Sequence, residues 1–332
     1  MSDGITPIAP AEPEPRPAHI ALGMTVYNGE RYLVEALDSV LSQNYRDFTL
    51  VILDDCSADR SVEILTDRAS REPRMLCFRN NRRNGMIATW VKVFRLSQAY
   101  CPGHPYFGWC SDHDLLEPNW LALLADVLNN RAEAVMAYPE TLHIDSEGHL
   151  SAKPRCPRRF DTRGLKDPFA RFGHANRRIS GAGDMIYGLM RSSALDAISV
   201  YRPVLQPDRL ALVELSLFGQ IHQVPQVLRY RRVTGEASIE RQKATLFNPS
   251  GAEKKASAPW YIMHAITFFR AYASPSAPAQ FSSLRVVALS ISILCWQFWA
   301  DLEKKFLRSK RVLKWLWKRT LRPLWHAVTM RG

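Results

Sequence analysis

From His19 to Tyr138 the chain alternates short apolar runs with segments whose apolar residues recur at helical spacing, and nothing else in the sequence constrains the fold as tightly. Such alternation builds βα units around a largely parallel sheet. Ile20 to Val26 reads as the first strand and ends at Tyr27-Asn28-Gly29, a turn in which Asn and Gly accept unusual backbone angles. Leu33, Ala36, Leu37, Val40 and Leu41 then repeat at helical spacing, which predicts a helix over Glu30 to Gln43 with one buried face. Phe48 to Leu53 returns to strand character and delivers Asp54-Asp55 at its C-terminal end, the edge where open α/β sheets bind ligands. A helix near Ser61 to Ser70, a strand near Met75 to Arg79 and a helix near Gly85 to Gln98 continue the pattern. Tyr106 to Cys110 is a further strand that presents Ser111 to Asp114. Pro118 to Leu128 fits a helix with proline in its first turn, and Ala134 to Tyr138 fits another strand.

Regularity fails between His149 and Ile179, where Arg and Lys crowd in with Pro154, Pro157 and Pro168. A long irregular stretch of this kind is expected to be a functional loop, and its basic part, Lys153 to Arg178, could close over an anionic donor. Order resumes with Ile186 to Met190, a helix around Leu210 to Phe218 and a last strand at Gln226 to Arg232; the composition shifts near residues 240 to 258. The expected organisation has three parts. Residues 1–18 are a disordered leader, too rich in Pro, Ala and Glu to order itself. Residues 19–240 are an α/β domain with a mostly parallel central sheet and flanking helices, and residues 241–332 are a helical segment rich in basic residues and tryptophan. A chain of 332 residues, 46% of them hydrophobic, has the material for one large core with an appendage. Its six cysteines show no CxxC pair and no regular spacing, so neither a zinc knuckle nor a disulfide framework is indicated, and a reducing cytosol is the plain inference.

Two acidic clusters, Asp54-Asp55 and Asp112-His113-Asp114, each follow an apolar, strand-like run. That arrangement suits a site that holds a nucleotide base with one cluster and a metal-bound diphosphate with the other. The Asp55 carboxylate can accept a hydrogen bond from an imide N–H, which uracil and thymine possess, and the Tyr27 ring can stack on a base face. An Asp-Asp pair taken alone is as readily a cap for the following turn and helix through Ser57 and Asp59. Likewise, a lone histidine such as His113 is ordinarily a polar turn residue, and Asp208 could simply be an acidic residue favoured at a helix N-terminus.

The wider pattern resembles family 2 glycosyltransferases with the GT-A fold. Thr25-Val26-Tyr27-Asn28, Tyr32-Leu33, Ser39-Val40-Leu41-Ser42-Gln43, Asp47-Phe48 and Asp54-Asp55-Cys56-Ser57 carry the similarity. It extends in weaker form through Asn84-Gly85, the Asp112 cluster and Pro207-Asp208 to Tyr230-Arg231-Arg232. The resemblance implies that Thr25, Tyr27, Asp55, Asn84 and Asp112 line a nucleotide pocket. It also implies a divalent ion, Mn²⁺ or Mg²⁺, held by an Asp-x-Asp motif against the donor diphosphate, because hard oxygen ligands suit those ions. Here the motif is replaced by Ser111-Asp112-His113-Asp114, and His113 stands where the principal carboxylate is expected, so Asp112, His113 and Asp114 are all candidate ligands. Asp208 occupies the place of the general base that takes the acceptor proton in an inverting transfer. Arg231 or Arg232 could clamp a diphosphate oxygen, and Val233-Thr234 stands where a further histidine ligand often lies.

The C-terminal segment shapes the expected partners. Val286 to Ala300 carries no charged residue but falls short of the ~20 residues that span a bilayer. From Glu303 onward there are ten Lys or Arg and a single acidic residue, with Leu313, Leu316, Trp317, Leu321, Leu324 and Trp325 at helical spacing among them. A basic, tryptophan-bearing amphipathic helix lies well on an anionic membrane; packing, oligomerisation and a short span are the alternatives. The reading is a nucleotide-sugar transferase, UDP or dTDP favoured, peripheral on the cytoplasmic face of a membrane, acting on a glycan or lipid-linked acceptor. Its rival is a nucleic-acid-binding or scaffold protein acting through the basic tail, whose affinity would fall steeply with salt.

Overall fold

The computed structural model describes residues 4–10, 13–151, 160–179, 181–233, 259–277 and 279–305. Its strands are β1 (Ile5–Ala9), β2 (Ile20–Val26), β3 (Phe48–Asp54), β4 (Met75–Asn80), β5 (Tyr106–Cys110), β6 (Leu115–Leu116), β7 (Ala134–Ile144), β8 (Leu189–Arg191) and β9 (Gln220–Arg232). The helices are α1 (Leu33–Leu41), α2 (Ser61–Ala69), α3 (Met86–Tyr100), α4 (Trp120–Asn130), α5 (Pro168–Arg178), α6 (Ala182–Met185), α7 (Ser192–Ala197), α8 (Pro207–Phe218), α9 (Trp260–Tyr272) and α10 (Ser283–Lys305). Every expected strand and helix between His19 and Tyr138 is present, with ends moved by a few residues. Pro118 is not in the first turn of its helix, since α4 begins at Trp120.

The strands form one sheet in the order β1-β4-β3-β2-β5-β8-β7-β9-β6. Strand β3 is buried at every position because helices cover both faces. Alternation sorts its side chains: Leu50 and Ile52 join Leu22, Met24, Leu33 and Leu37 on one face, while Val51 and Leu53 join Phe94, Phe107 and Trp109 on the other. The middle of β2 passes so close to its neighbours that a Cβ on Gly23 would lie 2.5 Å from Phe107 and 2.6 Å from Val93. Only glycine lets that strand and α3 meet.

Three expectations are corrected here. The sheet is mixed, not mostly parallel: β2–β3, β3–β4, β2–β5 and β7–β9 are parallel, but β8 lies antiparallel to both β5 and β7. The edge strands β1 and β6 are also antiparallel to their neighbours. A parallel partner needs a long crossover, and short β8, which leads directly into α7, is inserted the other way round. Ile5–Ala9, placed by composition in a disordered leader, is instead the edge strand on β4, because pairing with Cys77–Asn80 satisfies its backbone. The irregular stretch from His149 to Ile179 contains α5, with Pro168 in its first turn and the Asp167 carboxylate accepting from the Ala170 N–H as a cap. Of the proposed lid, Phe160 and Thr162 are buried against the domain, and only residues 153–159 lie outside the described residues, as do the domain boundary near 240 to 258 and the basic tail beyond Lys305.

The two C-terminal helices pack on the domain. Tyr261, Ala265, Phe268 and Tyr272 of α9 and Val286, Leu289 and Ile293 of α10 are buried, most of them in the same core as α5 and α8. Among the described residues no helix is long and apolar enough to cross a membrane.

Candidate active site

The C-terminal ends of β2, β3, β4 and β5 meet at one edge of the sheet, and three loops there are stitched together. The Asn28 and Gly29 N–H groups donate to Ser57 Oγ and Ser61 Oγ, both at 2.9 Å, and Ala58 N–H donates back to Asn28 Oδ1 at 2.9 Å. Asn28 takes the left-handed conformation that asparagine tolerates. Gly29 permits a close approach by β5's loop: a Cβ there would stand 3.0 Å from Asp112 Oδ2.

The paired aspartates divide the work. Asp54 is fully buried and its Oδ2 accepts from the Ser57 N–H at 3.0 Å, the capping role of the bland alternative. Asp55 reaches the next loop. Its Oδ1 accepts from Asn80 Nδ2 and the Asn84 N–H, both at 2.9 Å, and its Oδ2 from the Gly85 N–H at 3.0 Å. Asp55 and Asn84 are thus brought together through the main chain, at the entry to α3. A carboxylate oxygen has two lone pairs, so Oδ2 keeps one for a further donor. Thr25 is half-buried one residue before the end of β2, while Tyr27 is exposed with the Arg83 guanidinium 4.0 Å over its ring. Nothing in the run Asn80 to Asn84 singled out Arg83.

The Asp112 cluster separates into two parts. Asp112 Oδ1 and His113 Nδ1 are 2.6 Å apart, and both side chains are partly open to solvent. Burial opposes a charge on His113, but Asp112 and then Asp114 hold its pKa above the ordinary value. Asp114 is different: it is buried, Arg229 donates to its Oδ2 through both Nε, at 3.1 Å, and Nη2, and the Arg232 N–H reaches its Oδ1 at 2.9 Å. Although burial pushes the other way, Arg229 and His113 keep its pKa low. Arg229 occupies Asp114 Oδ2 and the Arg232 N–H takes one lone pair of Oδ1, so of the three candidate ligands Asp112 and His113 are the more accessible. Among the described residues no group of three or more His, Cys, Asp or Glu could hold a metal ion. A carboxylate beside an imidazole fits Mn²⁺ better than Mg²⁺, provided that oxygens from a bound diphosphate complete the shell. Of the place where a further histidine was expected, Val233 is exposed and Thr234 lies outside the described residues.

Next to this cluster lies a cavity of about 360 Å³, lined by Trp90, His113, Asp114, Tyr187, Asp208 and Arg231 among others. Trp90, Met86 and Ile87 come from the helix that Asp55 and Asn84 lead into. Asp208, the second residue of α8, remains partly open to the cavity, and burial raises its pKa above the ordinary carboxylate value against the opposing pull of neighbouring N–H groups and Arg231. Arg231 Nη1 donates to Asp184 Oδ1 at 2.9 Å, so this arginine is already paired. Arg232 is held by Glu35 at 2.6 Å and by the His113 carbonyl at 3.1 Å, which removes it as a diphosphate clamp. Asp184, Tyr187 and Arg229 join the site from α6, the approach to β8, and β9; no local pattern marked them, because only the fold gathers them.

His113 and Asp208 thus face one cavity, whose wall includes the helix that the Asp55–Asn84 loop leads into. Residues 22–180, just under half of the chain, match the family model of glycosyl transferase family 2. They are a family 2 glycosyltransferase domain. In sequence this domain is similar to chondroitin synthase from Escherichia coli, 27% identical over 131 residues, which cover 40% of this chain but only 18% of that one. The fold is GT-A-like. It is similar to S. aureus TarS 1-349 in complex with UDP-GlcNAc, with a TM-score of 0.59, 13% identity and coverage of 93% of this chain and 79% of the other. A second glycosyltransferase fold relative is the mannosyltransferase PcManGT from Pyrobaculum calidifontis in complex with GDP-Man and Mn²⁺, with a TM-score of 0.50, 11% identity and coverage of 96% and 87%.

Proposed function

We propose that this glycosyltransferase moves a sugar, with inversion, from a nucleotide diphosphate donor to a hydroxyl acceptor. The acceptor oxygen attacks the anomeric carbon, the bond from that carbon to the diphosphate oxygen breaks, and the acceptor proton passes to Asp208. One observation carries the reading: Asp208 opens a helix at the wall of the cavity, partly open to it, and burial raises its pKa above the ordinary carboxylate value, which makes it a stronger base than an exposed aspartate. Thr25, Tyr27, Asp55 and Asn84 receive the nucleoside. The free lone pair on Asp55 Oδ2 supports an imide-bearing base, UDP or dTDP, and the UDP-GlcNAc complex of TarS is in keeping with that choice. Asp112 and His113 would hold a divalent ion, Mn²⁺ or Mg²⁺. An ion bound there supplies positive charge against the leaving diphosphate.

The acceptor proposed is a lipid-linked glycan or a cell-surface polysaccharide intermediate, met at the cytoplasmic face of a membrane. Support comes from α10, where Leu284, Val287, Ile291, Leu294 and Phe298 are exposed at spacings of three and four residues and so share one outward face. The rival reading through nucleic acid gains no support from that apolar face.

The test is release of UDP, dTDP or GDP from the corresponding sugar nucleotides, by wild type and by Asp208→Asn. Turnover of one donor that falls by about 10²-fold or more in the variant, with nucleotide binding retained, is the expected result. Equal turnover by both proteins would remove Asp208 from the reaction.

A further inference from the structure

We infer that His264 of α9 is a positioning residue for Asp208, and that α9 and α10, which lie beyond the residues matched to the family, brace the end of α8 that carries this carboxylate. The inference rests on the reading of Asp208 as the base. Gln206, at the N-cap of α8, has a left-handed backbone with φ 52° and ψ 51° and no side-chain cap. In a residue other than glycine that conformation is strained, and it persists where neighbouring structure holds it.

Two tethers hold it here. From α9, the buried His264 ring places Nε2 2.6 Å from the Leu205 carbonyl oxygen, one residue before Gln206. Burial pushes the imidazole down to about 4, so the ring stays neutral near pH 7, and the contact to a carbonyl requires its one N–H at Nε2. From the other side, Arg209, directly after Asp208, donates Nη1 to the Ile179 carbonyl at 2.6 Å and Nη2 to the Asn176 carbonyl at 2.9 Å. Asn176, near the end of α5, is in turn held by α10: its Nδ2 donates to the Ser292 carbonyl at 3.1 Å, and Gln297 Nε2 reaches the Asn176 backbone oxygen at 3.1 Å and Oδ1 at 3.0 Å. Trp260 joins the two tethers, its ring edge-on to His264 at 5.0 Å and beneath the Arg209 guanidinium at 5.9 Å. Asp208 therefore sits between two residues whose positions are set by the C-terminal helices. The distance over which a base takes a proton is short, and a displacement of about 1 Å is enough to cost ~10²-fold in rate.

The experiment compares full-length wild type, His264→Ala, His264→Gln and Gln297→Leu. The readouts are sugar-nucleotide turnover, calorimetric binding of the nucleoside diphosphate product, and hydrogen exchange at the amides of residues 206–210. His264→Ala is expected to lower kcat by about 10- to 100-fold. Donor KM and diphosphate affinity stay within about twofold, and exchange at residues 206–210 accelerates. His264→Gln, which restores an N–H donor, recovers most of the rate, and Gln297→Leu reproduces the loss in milder form. If His264→Ala does not fold, His264→Gln and Gln297→Leu carry the same comparison. Unchanged kcat and exchange in variants that merely melt at lower temperature would overturn the inference. Asp208→Asn separates the two claims: if it keeps full turnover, the base assignment fails, whereas if it is inactive and the His264 and Gln297 variants are not, only the brace fails.

Discussion

Asp114 and Arg229 form a buried ion pair between the loop after β5 and the C-terminal part of β9, and that pair occupies Asp114 Oδ2 and fixes the loop that presents Asp112 and His113. Arg229 also lies against the Tyr187 ring, 4.0 Å from its centre, so a single guanidinium ties the cluster to the cavity wall. Breaking a buried pair by removing one partner leaves the other charge uncompensated. Arg229→Met is expected to destabilise the protein by about 3 to 5 kcal/mol in urea melts. A loss below about 1 kcal/mol, the size of an exposed pair, would show that the site is not closed around these two residues.

Gly29 supplies the room in which Asp112 sits. In Gly29→Ala the new methyl meets Asp112 Oδ2 at 3.0 Å, and the carboxylate must turn away from its present place. Metal-dependent binding of a nucleoside diphosphate should weaken by about tenfold, one charge-assisted contact's worth, with little change in melting temperature. Calorimetry with and without Mn²⁺ checks this; equal affinities in the two proteins would place Asp112 away from the ligand.

The pH dependence of turnover follows from Asp208. Its pKa lies above the ordinary carboxylate value because of burial, and a general base works only when deprotonated. The rate should therefore fall on the acid side at a higher pH than for an ordinary exposed aspartate and level off above it. A log kcat profile in wild type locates that limb. Persistence of the same limb in the residual activity of Asp208→Asn would assign it to another group.

Glu214 gives a pH effect on stability. It is buried 3.0 Å from Arg202 Nη2, and burial, opposed by Arg202, pushes its carboxyl up from 4.5 to about 7. Within that window the native state holds a proton that the unfolded chain has released, so this group's contribution to stability falls as pH rises toward 7 and is constant above it. Melts at about pH 5 and about pH 8 should differ less in Glu214→Gln than in wild type. An equal difference in both would show that Glu214 keeps its ordinary pKa in the fold.

Local pattern carried the fold from β2 to β7, the two-residue β6 apart, because each element there has its own signature: the apolar run in Phe48–Leu53 and the helical repeat in Leu33–Leu41 are visible without partners. It did not carry β1, whose Pro-rich composition masks a strand that exists only by pairing with β4. Nor did it carry the antiparallel insertion of β8, three residues long, since strand direction is a property of neighbours. At the site, residues that cap or turn locally were legible: Asp55, Asn84, the Asp112 cluster and Asp208 all stand at element ends. Their division of labour was not. That Asp114 is enclosed by Arg229, more than a hundred residues away, and that Asp208 is flanked by contacts from His264 and Asn176, emerge only when distant segments meet.

Binding of UDP, dTDP and GDP measured by calorimetry, with and without Mn²⁺, on the full-length protein and on the Asp112→Asn/His113→Ala double variant, bears most directly on the proposed nucleotide-sugar site. One diphosphate, UDP or dTDP in preference to GDP, should bind only with the metal present, and the double variant should lose that binding while retaining its fold. Absence of binding by all three, or tight binding that survives the double variant and ignores the metal, would contradict it.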